Sequence, residues 1–121
     1  MNIYQEEILD HFKNPRYKGP LTEPTHSARM VNPTCGDELT IQLIVQDDHI
    51  TAVGFEGQGC AISQAAASML AEELADKTLQ DAEAMSDQNV FEMIGVELTP
   101  ARQKCALLAV STLRKALRNV E

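Results

Sequence analysis

Hydrophobic and polar positions along the first half of the chain follow two different periods. From Ile3 to Lys13, apolar side chains at Ile3, Tyr4, Ile8, Leu9 and Phe12 recur at roughly helical spacing, which predicts a first helix with one apolar stripe. Asn14-Pro15 ends it, because the residue before a proline is pushed out of the helical region. Residues 15–26 hold three of the five prolines and a glycine, the composition of an irregular arm that wraps rather than packs. The period then drops to two. Leu39, Ile41, Leu43 and Val45 alternate with Thr40, Gln42, Ile44 and Gln46, a half-buried strand with the first set inward. Asp47-Asp48 reads as a short turn, Ile50 to Phe55 as the returning strand and His26 to Val31 as a third beside them.

Beyond Cys60 the pattern is helical. Ala61 to Asp76 is dominated by alanine, with Ile62, Met69, Leu70 and Leu74 suited to close packing on a sheet. Leu79 to Met85 and Asn89 to Ile94 read as short helical pieces. The last helix has a defined start, with Thr99 as its cap and Pro100 at its first position, and Ala106, Val110, Leu113, Leu117 and Val120 form its buried face. Strands followed by helices predict an α+β fold, a small antiparallel three-stranded sheet with helices on one face. No linker, internal repeat or low-complexity run divides residues 1–121, so one domain is expected.

Composition narrows the chemistry. A formal charge of −8 with 4% aromatic residues leaves no basic stripe or stacking platform, which argues against nucleic acid as a partner and favours partners with basic patches. The chain shows no signal-peptide pattern and no apolar run near the ~18 residues a membrane span needs. A cytoplasmic protein with reduced thiols, away from membranes, is therefore expected. With 44% hydrophobic residues a core can form without disulfide staples, so the 3 cysteines call for metal binding or thiol chemistry.

Each cysteine has informative neighbours. Cys35 lies in Asn32-Pro33-Thr34-Cys35-Gly36-Asp37, on a turn preset by proline and freed by glycine, with the Asp37 carboxylate two residues on. Cys60 ends Gly57-Gln58-Gly59-Cys60 where a helix begins, and unpaired N–H groups there favour a thiolate. Cys105 falls in the second turn of the last helix beside Arg102 and Lys104, cations that lower a thiol's pKa. Plainer readings exist for each: a glycine turn, a small core residue, a buried cysteine among solvated charges. Three thiols and one carboxylate nevertheless make four ligands, the number a tetrahedral metal takes. His11, His26 and His49 all lie apart from the cysteines; the first two read as structural and the third as solvated. Hydrolase and nucleotide-binding motifs are missing.

Four ordered motifs then point to a family. Tyr4 with Ile8-Leu9-Asp10-His11-Phe12-Lys13-Asn14-Pro15-Arg16, the segment around Cys35, Phe55-Glu56-Gly57-Gln58-Gly59-Cys60-Ala61-Ile62-Ser63, and Pro100-Ala101-Arg102-Gln103-Lys104-Cys105 together resemble the U-type iron–sulfur cluster assembly scaffolds: IscU, SufU and the N-terminal domain of NifU. The resemblance implies a SufE/NifU-like fold over residues 1–121. It implies Cys35, Asp37, Cys60 and Cys105 as ligands to zinc or a nascent [2Fe–2S] cluster, with Cys35 or Cys105 as acceptor of persulfide sulfur from a cysteine desulfurase. Apo iron–sulfur proteins or carriers would receive the cluster. The motifs around Cys60 and Cys105 are similar to SufU, but the longer SufU connection between them is absent. The histidine that precedes the last cysteine in IscU is Lys104 here, and the IscU chaperone motif survives only as Leu98-Thr99-Pro100-Ala101-Arg102. Three functions are then in play: a scaffold that assembles and transfers a [2Fe–2S] cluster, a zinc-dependent sulfurtransferase that relays sulfur and activates the desulfurase, or a structural zinc domain. Only the second would make the protein an enzyme.

Overall fold

Helix α1, Ile3–Lys13, starts where the Asn2 side chain accepts the Gln5 N–H and the Gln5 side chain accepts the Asn2 N–H in return, at 2.8 and 3.0 Å. It stops at Asn14, as the following proline requires. These and all later observations come from a computed structural model that describes residues 2–33 and 36–119. The apolar stripe predicted for α1 needs correcting. Ile8 and His11 face inward, whereas Ile3 is 66% exposed and Tyr4, Leu9 and Phe12 are exposed with it. The reason is geometric: α1 lies on the outside of a second helix, so only a narrow strip one turn long meets the core.

Past α1 the arm does more than wrap. The Ser68 hydroxyl accepts the Arg16 N–H at 2.8 Å. Further on, Gly19 N–H donates to the Phe55 carbonyl and Phe55 N–H to the Tyr17 carbonyl, at 2.8 and 3.1 Å. The arm thereby closes part of a sheet edge that would otherwise invite pairing with another chain.

That sheet comprises β1 (His26–Asn32), β2 (Asp37–Gln46) and β3 (His49–Gln58), antiparallel and in the order β1-β2-β3, with Ala28, Ile41 and Phe55 in register across it. Asp47 and Asp48 both take positive φ, 52° and 62°, the left-handed pair that joins strands in a two-residue hairpin. Leu39, Ile41 and Leu43 point inward as predicted; Val45 is only half-buried because the register shifts between Ile44 and Val45. β2 starts two residues before the predicted alternation, so the same period of two sends the Asp37 side chain inward as well.

Among the described residues four more helices follow: α2 (Ala61–Leu74), α3 (Leu79–Glu83), α4 (Asp87–Ile94) and α5 (Pro100–Arg118). α2 and α5 pack against each other and against the sheet, and α1 packs on α2. Small side chains make this close: Ser63 to Ala71 of α2 are all buried. α5 begins at Thr99 and Pro100 as expected and buries Ala106, Val110 and Leu113, with Leu117 partly buried; Val120 lies outside the described residues. One hydrophobic cluster joins the inward faces of sheet and helices. α5 also satisfies the free edge of β1, where Lys115 Nζ donates to the Arg29 carbonyl at 3.1 Å and Ser27 N–H to the Asn119 carbonyl at 3.4 Å. No described helix is long and apolar enough to cross a membrane.

Candidate metal centre

Three element ends meet at one end of the sheet. Asp37 opens β2 after a turn in which Gly36 has φ 75°, and its side chain is 3% exposed. Cys60 is the N-cap of α2, and Cys105, 5% exposed, sits in the second turn of α5. An Asp37 oxygen and the two Sγ atoms all lie within 4.8 Å of one another. Among the described residues this is the one group of three or more such donors close enough to hold a metal ion. Cys35, predicted to belong with them, lies outside the described residues, as does Thr34.

The Asp37 carboxylate is held from the Cys60 side. Oδ1 accepts the Cys60 N–H at 3.1 Å and Oδ2 accepts the Cys60 thiol proton at 3.4 Å. Gly59 makes this approach possible. A Cβ at that position would stand 2.5 Å from Asp37 Oδ1 and 2.6 Å from its carboxyl carbon, closer than real atoms come. A glycine at this position therefore admits the protein's own carboxylate close to the backbone. The Cys60 side chain makes no capping hydrogen bond to the N–H groups that open α2.

The group borders a cleft of about 590 Å³, whose lining includes Asn32, Gly36, Gln58 and Arg102. Asn32 and Gly36, which flank Cys35 in the sequence, both line this cleft. The two cations read beside Cys105 separate in space. Arg102, three residues back and on the same side of α5, lines the cleft; Lys104 is about 100° round the helix and lines a different groove with Val31 and Leu107.

The histidines stay out of the group. His11 is buried with Nδ1 2.7 Å from Ser68 Oγ, and burial pushes its pKa below the usual imidazole value, with the nearby Arg16 charge acting the same way. His26 is buried beside the Thr25 hydroxyl at 2.9 Å, and His49 is exposed. One neighbour escaped the reading of the sequence. Ser63, 2% exposed, places Oγ 3.8 Å from Cys60 Sγ. The signal was its position three residues into a helix begun by a cysteine, which brings the two side chains onto one turn.

Two thiols and a carboxylate suit zinc, and they suit iron held mainly by sulfur. The cleft leaves such a site accessible, whereas structural zinc sites are closed by four protein ligands.

Comparison with known proteins follows the same direction. The family described as NifU-like N terminal domain matches residues 3–121. An iron-sulfur cluster assembly scaffold protein IscU from Thermotoga maritima is 35% identical, the match covering 98% of this chain and 94% of that protein. A zinc-dependent sulfurtransferase SufU from Bacillus subtilis is also 35% identical, over 98% of this chain and 92% of that one. Among solved structures, a SufU from Fervidobacterium islandicum AW-1, proposed as an iron–sulfur cluster assembly scaffold for the SUF system, superposes with a TM-score of 0.79 at 32% identity, covering 93% of this chain and 94% of that chain.

Proposed function

This chain belongs to the NifU-like N terminal domain family, and on that footing we propose that residues 1–121 act as one iron–sulfur cluster assembly scaffold. In this reading Cys35, Asp37, Cys60 and Cys105 hold two iron and two sulfide ions as cargo until an apo iron–sulfur protein or a carrier takes them. Sulfur arrives from a cysteine desulfurase. A thiolate of Cys35 or Cys105 attacks the outer sulfur of the donor's persulfide, the donor S–S bond breaks, and the donor leaves as a thiolate while the new persulfide stays on this chain. Reduction of that sulfur to sulfide takes electrons from a separate reductant, a dithiol or a ferredoxin. Reduced thiols are a condition of this chemistry, in keeping with the cytoplasm.

The observation that carries the proposal is the convergence of Asp37, Cys60 and Cys105, from three different elements, on an accessible cleft. Ligands drawn from separate elements suit a site that loads and unloads. A local clip of closely spaced cysteines would suit permanent structural zinc better. A second reading is favoured by the SufU relative, which is as similar as the IscU one. There, zinc occupies the same ligands and the chain relays sulfur without building a cluster.

The test is anaerobic incubation of the purified chain with iron, cysteine, a dithiol and a cysteine desulfurase. The scaffold reading predicts the visible absorption of a [2Fe–2S] centre, lost in Cys60→Ser. Faster turnover of the desulfurase with no colour on this chain supports the sulfurtransferase instead. A chain that does neither and unfolds on chelation is a structural zinc domain.

A further inference from the structure

Resting on the ligand set just proposed, we propose that the Ser63 hydroxyl donates a hydrogen bond to Cys60 Sγ when that sulfur is bound to metal, and so acts as a positioning residue. Cys60 caps α2 and Ser63 is the third residue of the helix, so the hydroxyl stands one turn along on the same side. Its Oγ lies 3.8 Å from Sγ and donates to the Cys60 carbonyl at 3.0 Å. At 2% exposure the side chain is shielded from competing water.

A serine hydroxyl has one proton to place. While Cys60 is a thiol, its own S–H faces acceptors at Asp37 Oδ2, 3.4 Å away, and at Ser63 Oγ. The serine proton meanwhile stays on the backbone carbonyl. A metal-bound thiolate has no proton and can only accept. Rotation about the Ser63 Cβ–Oγ bond then turns the proton from the carbonyl to the sulfur. Nothing is orphaned by this, because the Cys60 carbonyl keeps the Gln64 N–H at 3.2 Å. The hydrogen bond withdraws electron density from Sγ and fixes its direction, as outer partners of metal ligands do.

The test uses Co²⁺ and Zn²⁺ on the full chain and on Ser63→Ala and Ser63→Thr. In wild type, Co²⁺ gives thiolate-to-metal charge-transfer absorption. In Ser63→Ala that band moves to lower energy, since an unbonded thiolate gives up electron density more readily, and zinc binds about tenfold more weakly by competition with a chelator. Ser63→Thr restores both. An unmoved band in Ser63→Ala overturns the proposal, and so does a shift that a folded Ser63→Thr fails to reverse. Should the threonine variant not fold, the alanine band alone decides. If wild type itself gives no charge-transfer band, the ligand set fails and this proposal falls with it; a normal wild-type band with an unmoved alanine band removes Ser63 alone.

Discussion

Asp37 carries two roles whose demands differ: it accepts two hydrogen bonds from Cys60, and it offers the one oxygen among the proposed ligands. Gly59 is what lets both coexist. Gly59→Ala forces a Cβ into the carboxylate, so zinc affinity should fall by at least about tenfold in a chelator competition while the chain remains folded. Unchanged affinity would mean that Asp37 is not a ligand. His11 gives a prediction of a different kind. Its folded pKa lies below the unfolded value of about 6.5, so the unfolded chain binds the proton more readily. His11 therefore lowers stability as pH falls through about 6.5 and on towards the folded value, and has no such effect above. In His11→Asn, the urea midpoint should depend less steeply on pH across that window; an equal slope would show that His11 is not responsible. At this scale the sequence was informative about sulfur and less so about oxygen. The cysteines were recognisable by type, and Asp37 by standing two residues from Cys35. Ser63 was not, because a serine hydroxyl acquires meaning only from what folding puts beside it.

Elements were legible where local chemistry alone decides them. Thr99 and Pro100 start α5, and Asn14 before Pro15 stops α1. The period-two run placed β2 with the correct inward face, and by extension it set the direction of Asp37. The apolar face of α1 was misread because periodicity counts apolar residues but not the width of the surface they meet. The arm was read as wrapping rather than packing because its pairing with Phe55 joins residues far apart in sequence. The hairpin turn yields a prediction. Asp47 and Asp48 both hold positive φ, which costs an aspartate more than a glycine or asparagine. Asp47→Asn with Asp48→Gly should raise unfolding free energy by about 0.5–1 kcal/mol in urea denaturation, relief of left-handed strain outweighing the added freedom of glycine in the unfolded chain, with site chemistry unchanged. A loss of stability would show that the two carboxylates hold the turn in some other way.

Across the whole molecule, charge is unevenly spread. The net −8 comes largely from carboxylates on α1 to α4, such as Glu6, Glu7, Glu72, Glu73, Asp81 and Asp87, whereas α5 carries Arg102, Lys104, Arg114, Lys115 and Arg118 with no acidic residue. If a desulfurase approaches with a basic surface, its association should slow as ionic strength rises from about 0.01 to about 1 M, where the screening length falls from roughly 30 to roughly 3 Å. Stopped-flow rates that ignore salt would exclude steering by the anionic surface. The convergence of Asp37, Cys60 and Cys105 belongs to this scale too, since 23 residues separate Asp37 from Cys60 and only the paired strands and the α2–α5 contact bring the three together.

The central claim is that these ligands hold a cluster which leaves. Its most direct measurement loads the chain enzymatically, removes the desulfurase, adds apo-ferredoxin and follows the circular dichroism of each protein's cluster over time. The account predicts that the signal disappears from this chain as the ferredoxin signal grows, and that Asp37→Ala, without the oxygen ligand, delivers on a different timescale. A chain that never acquires the signal, or that keeps it in the presence of an empty acceptor, would contradict the account.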